Sequence, residues 1–531
     1  MKIEADSSER DLAKSYDMTP YTGKPFYATH PGVLAAYGVL YGLSPSTPDN
    51  CRVLELGCAD GSNIIPMAHD FPQSKFVGID LSSVQIGIGQ KGVDALGLKN
   101  IHLKTRSIMD MDAADGKFDY IICHGVYSWV PDAVRKKILD ICKNNLADQG
   151  MAYISYNVLP GWKFNKSMRD MMLYRTRHIK DPQVRADTAL SFISTLLKAT
   201  TDSTAVHDVQ LRFFGKTLKS YPDVTSYLLH EYMEADNVPF YFSAFANDVE
   251  DHDLQYICDA DQAYFELDSL PPDAAAEFEK MSHNAIEVEQ YIDFLKNTCF
   301  RRSLVCHAGL AVNSDYRLER LERLYAATNA VPILDSPDSP LQEATAFKTP
   351  TGRQFSTQHE FAQIILRWLS DIRPCSMPVG SLIEAVAKES ALESKPGIHK
   401  QAEKIGHAVY SLFYNGVLEL MGTRRQCVLN IGNFPKASPV SRVLAPLGHV
   451  TNLCHRTIVM DDDMACFVLA HLDGTRNRDT LCDLMAKAVR TGQVRIPSLN
   501  TKNIDEIRMS MRDKLGKILQ QLPRCGVLIK N

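Results

Sequence analysis

An alternation of short apolar runs with helix-like segments between residues 51 and 155 constrains the fold of this chain more than any other feature. The apolar runs predict five strands, which are Arg52–Leu56, Lys75–Ile79, Ile101–Thr105, Phe118–Cys123 and Met151–Ser155. Nearly continuous apolar strands, each followed by a helix, are typical of a parallel sheet that helices cover on both faces. The sequence therefore predicts a doubly wound, Rossmann-like α/β domain.

The first predicted strand runs directly into a glycine turn with the sequence Glu55-Leu-Gly-Cys-Ala-Asp-Gly61. Gly57 allows close approach of the backbone, and Gly61 opens the next helix, where free N–H groups point outward. Asp80 ends the second strand, where a carboxylate accepts hydrogen bonds from a ribose diol. The turn lacks both the G-x-G-x-x-G spacing of a dinucleotide site and a lysine. This combination favours a cationic cofactor with one carboxylate, S-adenosylmethionine, over an NAD-type site or a plain βα turn.

The turn resembles that of the class I S-adenosylmethionine-dependent methyltransferase family, whose pattern is E/D-x-G-x-G-x-G. Ala59 stands in place of the middle glycine of that pattern. The resemblance implies that Asp80 binds the ribose and that Ser107 and Ile108 meet the adenine. The predicted cofactor-binding residues, with Tyr21 and His30 as an N-terminal lid, are Glu55, Gly57, Cys58, Gly61, Asn63, Asp80, Leu81, Gln85, Ser107, Ile108, His124, Tyr21 and His30.

Blocks rich in aromatic residues extend the resemblance beyond the cofactor fold. They include His124-Gly-Val-Tyr-Ser-Trp-Val-Pro131, Ser155-Tyr-Asn-Val-Leu-Pro-Gly-Trp162, His230-Glu231 and Asn237-Val-Pro-Phe-Tyr-Phe242. With them the chain resembles bacterial methyltransferases that carry a methyltransferase regulatory domain, such as the rickettsial lysine methyltransferases that act on outer-membrane proteins. The resemblance implies a homodimeric protein-lysine N-methyltransferase whose partner is a protein substrate, for example an outer-membrane or surface protein before export.

Four residues are the candidates for the methyl-acceptor site. Ligands of open parallel sheets bind beyond the carboxyl ends of the strands, so we expect Tyr156 and Asn157 to orient the acceptor amine. We expect Tyr127 and Trp129 to line its channel, although a core role for Trp129 and a structural role for His124 are open alternatives. A lysine acceptor must lose its proton, and an apolar aromatic channel lowers its pKa from about 10.4 by desolvation.

Beyond Trp162 the strand–helix alternation stops, and the rest of the chain is predicted to be mostly helical. We predict a methyltransferase core with an N-terminal lid at 1–165 and a helical regulatory or dimerisation region at 166–310. A helix and linker at 311–345 precede a winged-helix-like α+β region at 346–531, suggested by helices and a short strand pair between 357 and 420. It stays open whether Arg301–Cys306 completes the sheet of the first domain, which would make the helical region an insertion.

Composition limits the partners and the compartment. The 58 Lys and Arg against 63 Asp and Glu give a net charge of −5, so there is no overall basic field to hold nucleic acid. We find no apolar run of the ~18–20 residues that a membrane span requires. Thirteen scattered cysteines without a C-x-x-C pair predict reduced thiols, no metal site and a cytoplasmic protein. The competing functional hypotheses are a small-molecule methyltransferase and a catalytically silent S-adenosylmethionine-binding regulator.

Overall fold

A seven-stranded sheet lies at the centre of the N-terminal part of the protein. The structure is a computed structural model that describes residues 23–200, 204–221, 223–234, 236–261, 270–333, 345–349, 352, 354–390, 398–494 and 503–531. The strands of the sheet are β1 Arg52–Leu56, β2 Lys75–Asp80, β3 Ile101–Thr105, β4 Phe118–Cys123, β5 Leu146–Asn157, β6 Leu254–Asp259 and β7 Phe300–His307. Their order is β3-β2-β1-β4-β5-β7-β6, which confirms the predicted α/β fold class.

Strands β1 to β5 are parallel, and helices cover both faces of the sheet. The flanking helices are α1 Pro31–Leu40, α2 Ile64–Asp70, α3 Ser83–Leu96 and α4 Asp132–Asn145. Because side chains alternate along a strand, central strands supply two cores: Val53 and Tyr153 lie in one, and Leu54 and Ile154 lie in the other. This burial on both faces explains why the strands read as continuous apolar runs.

Strand β7 contains the segment Arg301–Cys306 and belongs to the sheet of the first domain. It pairs with β5 in an antiparallel register that matches Asn157 to Phe300, and β6 pairs antiparallel with β7. The sheet therefore extends beyond the predicted 1–165 core and draws two strands from the 166–310 region. The helices between β5 and β7 are α5 Trp162–Thr176, α6 Pro182–Ala199, α7 Val206–Lys219, α8 Val224–Tyr232, α9 Phe242–Asp251, α10 Pro272–Met281 and α11 Ala285–Lys296. Helices α5 to α8 share a separate core that includes Met172, Ile193 and Phe214.

Two further units follow the sheet. The first contains the helices α12 Leu318–Leu321, α13 Glu360–Asp371, α14 Val379–Glu389 and α15 Ile398–Tyr414. One of its small sheets consists of β8 Tyr325–Ala327, β12 Met377–Pro378 and β13 Glu419–Met421. The other consists of β9 Val331–Ile333, β10 Ala346–Lys348 and β11 Gln354–Ser356. Its core is continuous with one face of the large sheet. Strands β8 and β9 lie in the segment predicted as a helix and linker, of which residues 334–344 lie outside the described part of the chain.

The second unit has its own core, which includes Met464, Leu481 and Leu515. Its elements are α16 Pro439–Leu444, β14 His449–Thr451, β15 Thr457–Val459, α17 Asp463–Ala470, α18 Arg478–Arg490 and α19 Ile504–Cys525. Strands β14 and β15 form an antiparallel hairpin. Within the described ranges, no helix combines the length and the apolar character that crossing a bilayer requires.

Arg301 of β7 joins the sheet to the inserted helix α11, and this generates a prediction about stability. Its fully buried guanidinium donates to Asp293 Oδ2 at 2.9 Å and to Glu289 Oε2 at 2.7 Å, and lies over the Phe242 ring. Removing one partner of a buried ion pair leaves an uncompensated charge, so we expect Arg301→Ala to lower the free energy of unfolding by about 3–5 kcal/mol. Chemical denaturation measures the loss.

The matched control is Arg317→Ala. Arg317 forms an ion pair with Asp315 at 3.9 Å, but its side chain is 60% exposed, and such pairs contribute little to stability. We expect no measurable change in the control. Equal losses in the two variants would show that burial of the Arg301 cluster does not stabilise the fold.

Candidate cofactor site

The carboxyl ends of β1, β2, β4 and β5 open into a cavity of about 260 Å³. Strand ends, the loops after them, the segment before α1 and the end of helix α8 all contribute to its walls. The predicted cofactor residues that line the cavity are Glu55, Gly57, Cys58, Asn63, Asp80, Leu81, Gln85, Ser107, Ile108 and His124. The sequence-based reasoning thus locates most of one wall.

The glycine turn between β1 and α2 has the backbone of the family pattern despite Ala59. Gly57 has φ 72°, and a Cβ atom there would lie 2.5 Å from Val126 Cγ2, so only glycine fits. Ala59 adopts φ 49°, a left-handed conformation that costs an L-residue roughly 1–2 kcal/mol. Gly61 lies behind the turn with φ 73° and does not line the cavity.

Asp80 holds this turn against the end of β2. Its Oδ2 accepts a hydrogen bond from the Ala59 N–H at 2.9 Å, and its Oδ1 accepts one from the Ser82 N–H at 2.9 Å. These contacts fix the orientation of the carboxylate, which lines the cavity. The geometry suits the predicted role of accepting hydrogen bonds from a ribose diol.

Two buried acceptor atoms in the cavity wall receive no hydrogen bond from the described part of the chain. Glu55 Oε1 accepts from Asn63 Nδ2 at 2.7 Å, whereas Glu55 Oε2 and Gln85 Oε1 have no hydrogen-bond partner among the described residues. Burial raises the pKa of the Glu55 carboxyl to about 8. A cationic N–H donor would stabilise the ionised form of Glu55 and supply the hydrogen bonds that these acceptors lack, so the wall fits a ligand that carries positive charge and N–H groups, as S-adenosylmethionine does.

The adenine candidates follow β3. Ser107 precedes a single helical turn at Ile108–Asp110, and its Oγ accepts from the Met109 N–H at 3.1 Å. Ile108 contributes an apolar side chain to the cavity wall beside Leu81. This pairing of a polar residue with an apolar one suits the edge and the face of a purine ring.

His124, after β4, is held as a neutral imidazole. Its Nδ1 lies 3.0 Å from Tyr153 Oη and 3.2 Å from Ser155 Oγ, and its ring centroid is 3.7 Å from that of Phe26. Burial lowers the pKa of His124 to about 3.

Two of the four acceptor-site candidates do not line the cavity. Tyr156 stacks on Phe245 with ring centroids 4.1 Å apart, and its Oη lies 2.9 Å from Ser303 Oγ. Tyr127 packs in the same buried cluster. Successive side chains of a strand point to opposite faces, so Tyr156 faces the core when Asn157 faces the cavity. The structure therefore corrects the placement of both tyrosines, whereas Trp129 and Asn157 do line the cavity.

The predicted N-terminal lid also differs from the structure. His30 lies outside the cavity wall, where its Nδ1 accepts from the Gly32 N–H at 3.1 Å and caps helix α1. Burial lowers the pKa of His30 to about 3. Tyr21 lies outside the described residues. Gly23, Lys24 and Phe26 are the described members of this segment that line the cavity.

Helix α8 brings two residues that the sequence-based site omits. His230 and Glu231 line the cavity, and burial raises the pKa of the Glu231 carboxyl to about 7, an effect that Lys24 partly offsets. The pair stands in one of the aromatic-rich blocks that extend the resemblance. The position of the pair in that block could have identified it from the sequence. The site was predicted from the ends of the strands, and these do not show where an inserted helix lies.

Comparisons with known proteins agree with this architecture. Three family models match successive parts of the chain: "Methyltransferase domain" at 48–200, "Predicted methyltransferase regulatory domain" at 224–307, and "PKMT, C-terminal winged helix domain" at 433–527. The winged-helix match covers the second C-terminal unit. It lies after the 357–420 segment in which the sequence analysis placed the winged-helix-like pattern.

Two proteins and one solved structure from Rickettsia are similar to this chain. The chain is 30% identical to the uncharacterized protein RP789 of Rickettsia prowazekii, over 97% of this chain and 93% of that protein. It is 40% identical to the uncharacterized protein RP028 over 44% of this chain and 92% of that protein. The structure of PKMT2 from Rickettsia typhi is 27% identical and covers 96% of this chain and 100% of its own, with a TM-score of 0.82. Its complex with AdoHcy (S-adenosylhomocysteine) gives a TM-score of 0.83.

The position of Asp80 predicts its effect on AdoHcy binding. Asp80→Ala removes the predicted acceptor for the ribose and the anchor of the Ala59 N–H. Two charge-assisted hydrogen bonds are at stake, so we expect the dissociation constant to rise by about 100-fold or more. Calorimetric titration of the folded variant measures it. The control is Asp94→Ala, an exposed aspartate on α3, and equal affinities of the two variants would place the ribose elsewhere.

Family membership follows from the extent of the matches. RP789 is matched along nearly its whole length, and the three family models fall in the same order as the structural units. AdoHcy is what remains of S-adenosylmethionine after methyl transfer, and the related structure binds it. The chain therefore belongs to the class I methyltransferases that carry a methyltransferase regulatory domain, and it is an S-adenosylmethionine-dependent methyltransferase.

Proposed function

We propose that this enzyme transfers methyl groups from S-adenosylmethionine to lysine side chains of a protein substrate. The observation that carries the proposal is the full-length match to PKMT2. The match extends beyond the cofactor fold through the inserted helices to the C-terminal unit, which the PKMT winged-helix model also matches. These added regions are what distinguish the chain from a methyltransferase domain alone.

The walls of the cavity suit a lysine side chain. Phe26, Trp129 and Phe300 line it with aromatic rings, and such rings accommodate the aliphatic stem of the side chain. A lysine that enters this wall loses water, and desolvation lowers its pKa from about 10.4 toward neutrality. The cavity thus favours the neutral amine that methyl transfer requires.

Glu231 is the proposed acceptor of the lysine proton. Its carboxylate lines the cavity, and within the described parts of the chain no hydrogen bond or ion pair holds it. A base with a pKa of about 7 is well matched to a desolvated ammonium group, since general bases work best when their pKa lies near the operating pH.

Asn157 is proposed to orient the amine. Asn157 Nδ2 donates to Asn237 Oδ1 at 3.4 Å. This contact leaves Asn157 Oδ1 to accept from another donor, and the amine of lysine is such a donor. When bound, S-adenosylmethionine supplies a methyl group on a positively charged sulfur. The residues of the chain hold the amine in line with that group and exclude water, and alignment of this kind contributes ~7–11 kcal/mol.

A labelling experiment tests the proposed substrate class. The purified enzyme is incubated with S-adenosylmethionine that carries a labelled methyl group and with bacterial lysate, and the products are mapped by mass spectrometry. We expect label on lysine Nε atoms of proteins, with Asp80→Ala as the inactive control. Label that appears only in small molecules would contradict a protein substrate. Absence of label from an enzyme that binds AdoHcy would favour a regulator.

The role of Glu231 predicts a pH dependence. A carboxylate accepts a proton only when ionised, so we expect turnover of the wild type to rise with pH up to about 7 and then level off. Glu231→Gln cannot accept the proton. We expect its turnover to fall by about 100-fold or more. Turnover of the variant should also keep rising with pH above 7, because loss of the proton from the lysine ammonium group then limits the rate.

AdoHcy affinity provides the internal control for this variant. Glu231→Gln is expected to bind AdoHcy about as tightly as the wild type, because the change leaves the glycine turn and Asp80 intact. Glu277→Gln on α10, an exposed glutamate, is the matched substitution and should leave turnover unchanged. A wild-type pH profile in Glu231→Gln would remove this residue from the mechanism.

A further inference from the structure

The tip of the β14–β15 hairpin reaches the cofactor site from the far end of the chain. His455 lies at this tip, and its Nε2 is 2.8 Å from Oδ1 of Asn63, which lines the cavity. Both side chains are buried, at 3% and 5% exposure. A contact at this depth, with hydrogen-bonding geometry, joins the C-terminal unit directly to the wall that holds the cofactor.

The contacts of Asn63 determine which way its amide faces. The Phe26 N–H donates to Asn63 Oδ1 at 2.9 Å, so this atom must be the carbonyl oxygen. Asn63 Nδ2 is then directed at Glu55 Oε1, to which it donates at 2.7 Å, and at Thr29 Oγ1, 3.0 Å away. Thr29 Oγ1 also lies 3.2 Å from Asn63 Oδ1, but its hydroxyl has a shorter contact with the Phe26 carbonyl oxygen at 2.8 Å. A carbonyl oxygen has two acceptor sites, and His455, at 2.8 Å, occupies the second one.

The ionisation of His455 fits the donor role. Burial lowers the pKa of His455 well below its usual range, and the nearby His30 and Arg456 act in the same direction. The imidazole is therefore neutral and carries one ring proton. Because Asn63 Oδ1 can only accept, that proton is on Nε2.

The hairpin tip is anchored on several sides. Asn452 Oδ1 accepts from the N–H groups of Cys454 and Arg456 at 3.0 and 2.9 Å, and these contacts surround His455, which has φ 53°. The Arg456 guanidinium lies 3.9 Å from the Tyr27 ring centroid, and its Nη2 donates to Glu419 Oε1 at 2.8 Å. The tip is thereby fixed against the N-terminal segment and against β13.

We propose that His455 is a positioning residue of the cofactor site. Its Nε2–H fixes the Asn63 amide, and the Asn63 Nδ2–H in turn holds the Glu55 carboxylate with Oε2 available to the bound cofactor. The C-terminal unit thus completes a site whose other residues come from the methyltransferase core. This inference rests on the S-adenosylmethionine dependence of the enzyme and not on the identity of the methyl acceptor.

Two substitutions in the full-length protein separate the hydrogen bond from the volume of the side chain. His455→Leu fills the space without a donor, and His455→Gln supplies an N–H group. Neither residue is favoured at φ 53°, so the two variants are matched in backbone strain. We expect His455→Leu to weaken AdoHcy binding by about tenfold in calorimetric titration. His455→Gln should recover most of the wild-type affinity.

His449→Ala is the control for general disturbance of the hairpin. His449 lies on β14 with its side chain exposed, and its removal should leave the affinity unchanged. If His455→Leu does not fold, His455→Asn replaces it, because asparagine tolerates the left-handed backbone and is too short to reach Asn63. Equal losses in the Gln variant and in the donor-free variant would overturn the proposal.

A double-mutant cycle distinguishes positioning from a merely structural role. If His455 acts through Asn63, the variant with both His455→Leu and Asn63→Ala should bind AdoHcy no more weakly than Asn63→Ala alone. Losses that add, or wild-type affinity in His455→Leu, would overturn the proposal. Thermal denaturation of each variant shows that the affinities are compared between folded proteins.

Discussion

The hydrogen bond from the Ala59 N–H to the Asp80 carboxylate is the interaction on which the cofactor site depends. It ties the turn after β1 to the end of β2 and holds Ala59 in a left-handed conformation. The parallel pairing of β1 and β2 brings these strand ends to one edge of the sheet. The turn, the Asp80 carboxylate and the Glu55 carboxyl are all positioned from this edge, and the other segments that line the cavity are arranged around it.

The strands that close the sheet explain why the chain is so much longer than a cofactor domain. Helices α5 to α8 leave the carboxyl end of β5, and β7 returns antiparallel beside it. The insertion therefore starts and finishes beside the cavity, which places His230 and Glu231 in its wall. The C-terminal hairpin adds His455 behind the same wall. Two distant segments, the insertion and the C-terminal hairpin, thus add residues to a site whose other residues come from the sheet and the segment before α1.

The sequence predicted the sheet well because burial on both faces leaves a local signature, the uninterrupted apolar strand. It predicted the glycine turn for a similar reason. Gly57 has a positive φ of 72°, which favours glycine locally, and a Cβ atom there would also clash with Val126. The alternation of side chains between the two faces of a strand is also a local rule. Which of two successive side chains faces the cavity, however, depends on how the strand packs in the folded protein. This packing puts Asn157 in the wall and Tyr156 in the core. The sequence alone does not reveal it.

The fold class, the cofactor and most residues of the wall formed by β1, β2 and β3 could be predicted from the sequence, because these follow from patterns within a few residues. The exclusion of Tyr127 and Tyr156 from the wall, the presence of Glu231 in it, and the contact between His455 and Asn63 emerge from the folded chain. Each of these depends on packing between segments far apart in the chain. Such packing is set by the summed burial of whole elements, and no short stretch of sequence carries it.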